Sequence, residues 1–272
     1  MEKRTKLLCF DLDGTLYQDK VIYLRIIEHF FQGTPYESWT SDVQNGIQEI
    51  LKGQGPIGCG QFVPKIKGGI LKGPGDIFAV PAFAALVEDG HAECFDRSRY
   101  SYVSDGWTLA MYAARRIGWE GDAFWLRFQK ARQELVSEQY GPQKDGQMLE
   151  LLKNLREQEI RLVLCSNAAK KGAEGLLVHL GLENSFDEII FDADKPHRFG
   201  QYMESWKNRW GISEEEMVFI GDQGYFDLYA GWKAGAQTLL VAPWETADAG
   251  LWDMRIRTYE ELKEYLNQLI SL

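Results

Sequence analysis

Residues 5–17 read Thr-Lys-Leu-Leu-Cys-Phe-Asp-Leu-Asp-Gly-Thr-Leu-Tyr, an apolar run that stops at the acidic segment Asp11-Leu12-Asp13-Gly14. A short apolar run broken by aspartate and glycine predicts a buried β-strand opening into a turn. Two carboxylates two residues apart can point into one site if the turn is irregular, and Gly14 permits the backbone that irregularity needs. Carboxyl groups held close together do not ionise equally, so one can serve as nucleophile or metal ligand while the other holds a proton. The competing reading is a plain Asx-turn at a strand end, which the same residue types also make.

The chain beyond residue 146 bears on that choice. Met148, Leu149, Leu151, Leu152 and Leu155 recur at helical spacing, and Ile160–Cys165 follows as a β-rich run. A helix carrying Leu176, Leu177 and Leu180, a strand at Glu188–Phe191 and a helix with Tyr202, Trp206 and Trp210 come next. Met217–Ile220, Phe226–Ala234, Thr238–Val241 and Tyr259–Ile270 then read as strand, helix, strand and helix. This alternation predicts an α/β fold, a Rossmann-like parallel sheet built of βαβ units. Its strands read as continuous apolar runs because both faces are covered.

In open α/β sheets ligands bind outside the carboxyl ends of the strands, and the polar residues fall there. Asp11-Leu12-Asp13 follows the first strand, Ser166-Asn167 the second, Lys195-Pro196 the third, and Gly221-Asp222-Gln223 the fourth, with Asp227 close behind. Clustered carboxylates repel unless a hard cation lies among them. A hydroxyl and an amide at a strand-to-helix turn sit where free backbone N–H groups favour phosphate. Each residue also has a simpler reading: Ser166 and Asp227 as helix caps, Lys195 as a solvated charge. All of them in order on successive strand ends favour a site.

Residues 20–139 separate the first strand from the rest. Ile22, Ile26, Ile27 and Phe30 form one helical stripe, and Phe124, Trp125, Phe128, Ala131 and Leu135 another. Between them lies a glycine-rich stretch, Lys52 to Asp76. Residues 1–19 and 140–272 are therefore expected to form the α/β core, and 20–139 a mostly helical second domain. The insert holds 13 basic and 14 acidic residues (−1), against 17 and 26 in the remainder (−9), so nearly all of the net charge of −10 belongs to the core. An acidic balance of this kind excludes a duplex-binding protein. No apolar run is long enough to span a membrane. The N-terminus reaches Asp11 too soon for a secretory signal, which makes a cytoplasmic location the expectation. Four cysteines in 272 residues do not make a disulfide framework, and His91 with Cys94 is at most half a metal-ligand set.

Taken together, the chain resembles the haloacid dehalogenase (HAD) superfamily. The resemblance rests on Asp11-Leu12-Asp13-Gly14-Thr15-Leu16-Tyr17, Leu164-Cys165-Ser166-Asn167, Lys195-Pro196, and Phe219-Ile220-Gly221-Asp222-Gln223 with Asp227. It covers residues 1–19 and about 140–272, and the insert resembles the superfamily's helical cap. The resemblance implies that Asp11 attacks phosphorus to give an aspartyl-phosphate, while Asp13 protonates the leaving oxygen and then activates water. It implies that Thr15, Ser166 and Asn167 surround the transferring phosphoryl group and that Lys195 neutralises it and orients Asp11. Mg²⁺ is implied on Asp11, the main-chain carbonyl of Asp13, and Asp222, with Asp227 binding directly or through water. Dehalogenases of the superfamily lack an aspartate at the position of Asp13, so the expected activity is a Mg²⁺-dependent phosphatase acting on a small phosphorylated metabolite. The alternatives are a mutase, a phosphonatase using a cap lysine (Lys52, Lys65, Lys67 or Lys72), and a non-catalytic binding protein on the same scaffold. Tyr17 and the glycine-rich stretch are expected near the substrate. The aromatic residues Tyr100, Tyr102, Trp107, Tyr112, Trp119 and Trp125 are read as core or as stacking surface.

Overall fold

The computed structural model describes residues 5–18, 21–66, 71–80 and 96–270. Lys67, His91 and Cys94, and residues 68–70 of the glycine-rich stretch, lie outside the described residues. The chain divides into two compact units. One comprises Met1–Asp19, Pro142–Pro243 and Leu251–Leu272; the other comprises Lys20–Gly141 and Trp244–Gly250.

In the first unit, six parallel strands form one sheet. They are β1 (Leu7–Phe10), β4 (Arg161–Cys165), β5 (Glu188–Ile190), β6 (Met217–Gly221), β7 (Gln237–Val241) and β8 (Met254–Ile256), in the order β5-β4-β1-β6-β7-β8. β2 (Gln61–Pro64) and β3 (Tyr100–Val103) belong to the other unit. Leu-Leu-Cys-Phe of β1 and Met-Val-Phe-Ile-Gly of β6 are buried at every position, as central parallel strands must be. β1 pairs with β4 (Phe10 opposite Leu164) and with β6 (Phe10 opposite Ile220). Strand order reverses between those two neighbours, which makes the carboxyl end of β1 the switch point where such folds bind ligands.

Helices cover the sheet: α5 (Gly146–Glu157), α6 (Lys170–Leu180), α7 (Phe199–Trp210), α8 (Tyr229–Ala234) and α9 (Tyr259–Ile270). α5 starts at Asp145, whose carboxylate accepts the N–H groups of Gln147 (2.8 Å) and Met148 (3.2 Å). The same carboxylate receives Lys263 of α9 at 3.1 Å, tying the last helix to the first of this unit. Sequence periodicity misses β8, whose three residues are too few to show a period, and it reads Phe226–Ala234 as one helix. The structure has instead a π-helical turn at Gly224–Leu228 before α8.

The inserted unit contains α1 (Ile22–Phe31), α2 (Thr40–Leu51), α3 (Gly106–Arg116) and α4 (Gly121–Gln133), together with an antiparallel pair, β2 (Gln61–Pro64) and β3 (Tyr100–Val103). β2 lies inside the glycine-rich stretch, where sequence periodicity shows no strand. The helical stripes meet in one core that includes Ile26, Phe30, Val43, Ile47, Leu109, Phe124 and Phe128. Tyr112 is part of that core, Trp107 and Trp119 pack against it, and Trp125 is about half exposed at 49%. Trp119 donates its indole N–H to the carbonyl of Phe30 at 2.7 Å. Arg25 and His29 converge on Glu134 at 2.6 and 2.7 Å.

Residues 244–250 belong with this unit, although periodicity after β7 places them in the core. Ala247 donates its N–H to Cys59 (2.8 Å), and Trp244 donates its indole N–H to Ser104 (2.7 Å). The Tyr102 hydroxyl donates to the buried Asp248. None of these contacts leaves a period in the sequence.

Candidate active site

Asp11 is the first residue beyond β1, and its N–H is held by the carbonyl of Ile220 at 2.9 Å. Its carboxylate is therefore carried by the two central strands at the switch point. Lys195 reaches the same place from the loop after β5. Asp192 (φ 50°) and Asp194 (φ 51°) take the left-handed backbone in that loop, a conformation aspartate tolerates better than most residues. The Asn167 side chain clamps the loop, accepting the Lys195 N–H at 2.7 Å. The ammonium of Lys195 then lies 2.5 Å from Asp11 Oδ1 and 2.6 Å from Asp227 Oδ1, and it is 1% exposed. It is not a solvated surface charge.

Asp227 owes its position to the π-helical turn. Its N–H donates to the carbonyl of Gln223 (2.8 Å), and its Oδ2 accepts the Gln223 N–H (2.9 Å). It caps its own turn while its Oδ1 holds Lys195. Such turns recur where a helix is distorted to place a functional side chain. Asp222, directly after β6, is buried beside it. Asp11, Asp222 and Asp227 each offer an oxygen within 4.8 Å of the others.

Three buried carboxylates face a single buried ammonium, and the balance shows in the protonation. Burial pushes the Asp11 carboxyl up to about 7, with Asp227 and Asp13 adding to the push and Lys195 opposing it. Burial also works against the charge on Lys195, but Asp11 and Asp227 outweigh it and hold its pKa well above the ordinary lysine value. One ammonium cannot offset so many anions, and an all-oxygen donor set is what a hard divalent cation takes.

Two hydroxyls complete the site. Thr15 is fully buried, and among the described residues its Oγ1 has no hydrogen-bond partner. The Ser166 oxygen accepts the N–H of Ala168 at 3.1 Å, which leaves its own proton to donate. Asn167, read from sequence as a phosphate neighbour, has its amide oxygen on the Lys195 backbone N–H at 2.7 Å. It positions the lysine.

Gly14 is required twice over. Its φ is +80°, and a Cβ there would stand 2.3 Å from Asp222 Oδ2. Gly14→Ala is expected to cost about 1–3 kcal/mol of stability and to displace Asp222; urea titration and Mg²⁺ titration measure the two effects.

The buried phenol of Tyr17 donates to Asp13 Oδ1 at 2.6 Å, fixing the orientation of that carboxyl group. The turn is braced from α9, where Tyr259 donates to the carbonyl of Leu16 at 2.9 Å. No local sequence signal marks Tyr259, which lies far along the chain from its acceptor. Tyr17→Phe is expected to lower kcat about tenfold, the worth of one hydrogen bond, with KM little changed. Steady-state kinetics would show the split.

The four strand ends thus bring together the residues of all four motifs. The sequence model of the haloacid dehalogenase-like hydrolases matches residues 5–235. The chain belongs to this hydrolase family. No curated protein matches it. Among solved structures, the hydrolase is similar to the magnesium-bound putative HAD-hydrolase YfnB of Bacillus subtilis, with a TM-score of 0.54, 20% identity, and coverage of 97% of this chain and 100% of that one. A predicted phosphoglycolate phosphatase of Haemophilus somnus follows at 0.51 and 16%, covering 97% and 100%. An L-2-haloacid dehalogenase is similar at 0.51 and 14%, covering 97% and 100%. At these identities the likeness is one of fold, shared by phosphatases and dehalogenases alike. Among the described residues, no helix of the hydrolase is long and apolar enough to cross a membrane.

Proposed function

We propose that this hydrolase is a Mg²⁺-dependent phosphatase that acts on a small phosphorylated metabolite through an aspartyl-phosphate on Asp11. The observation that carries the reading is the second acid, Asp13, held at 2.6 Å by Tyr17 on the turn that begins at Asp11. Displacing a halide needs no proton donor, whereas expelling an alkoxide from phosphorus does. A second acid at this position is the feature the superfamily's dehalogenases lack.

The residues divide the work as follows. Asp11 attacks phosphorus, and the bond from phosphorus to the ester oxygen breaks as Asp13 gives that oxygen its proton. Asp13, now a carboxylate, takes a proton from water, which attacks the phosphorus of the acyl phosphate. Inorganic phosphate leaves and Asp11 is restored as a carboxylate. Thr15 and Ser166 supply O–H donors to the phosphoryl oxygens, and Lys195 supplies positive charge while orienting Asp11. Asp11, Asp222, Asp227 and the Asp13 carbonyl are the groups that would hold Mg²⁺, which when bound neutralises phosphoryl charge among the carboxylates.

A phosphonatase reading finds less support. An imine-forming lysine works from a desolvated site, whereas Lys52 is exposed and paired with Glu49 at 2.7 Å, and Lys72 is exposed.

The test compares p-nitrophenyl phosphate and 2-chloropropionate as substrates, each with and without Mg²⁺. Metal-dependent phosphate release with no chloride release is the expected result. Chloride release, or phosphate release indifferent to metal, would defeat the proposal.

A further inference from the structure

The inserted unit contains a small cavity of about 340 Å³, large enough for one small ligand and bounded by α3, the ends of β2 and β3, and the start of α4. Three cations line it, Lys65, Arg115 and Arg116, with Ser98, Ser101 and a single acid among the described lining residues, Glu120. That is a local excess of positive charge in a chain whose net charge is −10.

The cations are not equivalent. Arg116 donates through Nε to the carbonyl of Ile77 (3.1 Å) and through an Nη to that of Asp76 (2.8 Å), and Lys65 donates to the carbonyl of Arg97. Each spends donors on holding the walls. Arg115 is different. Its guanidinium carbon lies 4.5 Å from the centroid of the Phe124 ring, and among the described residues the group makes no side-chain hydrogen bond. Nor does the half-buried hydroxyl of Ser101.

A guanidinium carries its N–H groups in its own plane. One resting on an aromatic ring has a face covered and its donor edge unspent, the arrangement in which arginine takes an oxyanion with two parallel hydrogen bonds. Burial draws the Arg115 pKa down, and Glu120 only partly opposes this. A desolvated cation without a hydrogen-bonding partner is costly. Arginines elsewhere show what the ordinary arrangement looks like: on the core unit Arg161 pairs with Asp187 at 3.2 Å and Arg209 with Glu188 at 3.1 Å.

We propose that this cavity is an oxyanion-binding site, in which Arg115 and Ser101 take the phosphate or carboxylate group of a small molecule. The cavity belongs to the inserted unit, and the proposal does not depend on the reading given to the carboxylate cluster of the core unit.

The test is calorimetric titration of the metal-free, full-length protein at low ionic strength, with inorganic phosphate in one arm and succinate in the other. Without metal, the aspartates around Lys195 repel anions, and Ser166→Ala serves as the control for binding at the core. Saturable binding of either probe is expected, unchanged in Ser166→Ala. It should weaken about 10- to 100-fold in Arg115→Met, the worth of charge-assisted hydrogen bonds, and about threefold or more in Ser101→Ala. Methionine keeps an unbranched apolar stem over Phe124, and Ser101→Ala provides an independent readout should Arg115→Met fold poorly. The tighter of the two probes identifies the group as phosphate or carboxylate. Absence of saturable binding in both arms overturns the proposal. So does binding that survives Arg115→Met and Ser101→Ala, or that disappears in Ser166→Ala.

Discussion

The Asp13→Asn protein, mixed with an aryl phosphate, should accumulate a covalent phosphate on Asp11, and the Asp11→Asn protein should never form one. Asp11→Asn removes the attacking oxygen, so turnover and adduct vanish together whatever the substrate. Asp13→Asn spares the nucleophile but removes both proton transfers, each worth roughly 10²–10⁴ in rate. A good leaving group such as p-nitrophenolate hardly needs the first of these transfers, while water always needs the second. The first half-reaction therefore outruns the second, and the acyl phosphate builds up. Rapid-quench mass spectrometry reads the added phosphate, and hydroxylamine should discharge it. If Asp11 and Asp13 served only to hold a metal ion that activates water directly, neither variant would carry an adduct. A wild type that hydrolyses the ester without ever showing one would refute the covalent route.

The largest expected effect on stability comes from Lys195→Met. Methionine fills much of the lysine volume, but it leaves Asp11 and Asp227 facing each other without the ammonium that lies 2.5 and 2.6 Å from them. Breaking a buried ion pair by deleting one partner costs about 3–5 kcal/mol, and here one cation serves two anions. Activity should be lost as well. Adding Asp227→Asn should recover part of the stability and none of the activity.

The pH dependence carries a definite sign. The folded-state value of Asp11, about 7, lies above its ordinary 3.8. Its contribution to folding is therefore fully present below pH 3.8 and is lost as pH rises through 7. Metal-free Asp11→Asn should accordingly gain on the metal-free wild type as pH climbs from 5 to 8, and the penalty of Lys195→Met should be greatest at the alkaline end. Denaturant midpoints across that range measure both.

The parts legible in the sequence share a physical reason. β1, β4 and β6 lie in the interior of the sheet, so burial on two faces writes each as an unbroken apolar run, and the chemistry falls where each run stops. Asp11, Ser166, Lys195 and Asp222 could be picked out because a strand end is a sequence-local event. What stayed hidden depends on contacts distant in the chain or on geometry without a period. The hydrogen bond from Tyr259 to Leu16 spans 243 residues. The π-helical turn that aims Asp227 reads as ordinary helix, since its residue types suit either. β2 and β3 are only four residues each and pair across a long stretch of intervening chain. Asn167 advertised an amide but not its acceptor, and the amide turned out to hold a backbone.

The assignment of residues 244–250 to the inserted unit has a consequence for how the protein is made. A ribosome that has released residue 141 has delivered all but seven residues of that unit, yet about 100 residues of the core must be synthesised before Trp244 appears. At about 5–20 residues per second, the interval is on the order of 5–20 s. Throughout it the carbonyls of Cys59 and Ser104 and the hydroxyl of Tyr102 wait for Ala247, Trp244 and Asp248. The nascent insert is thus an unfinished body whose last piece arrives only after about 100 further residues have been made. A gene fragment ending at residue 141 reproduces that waiting state permanently.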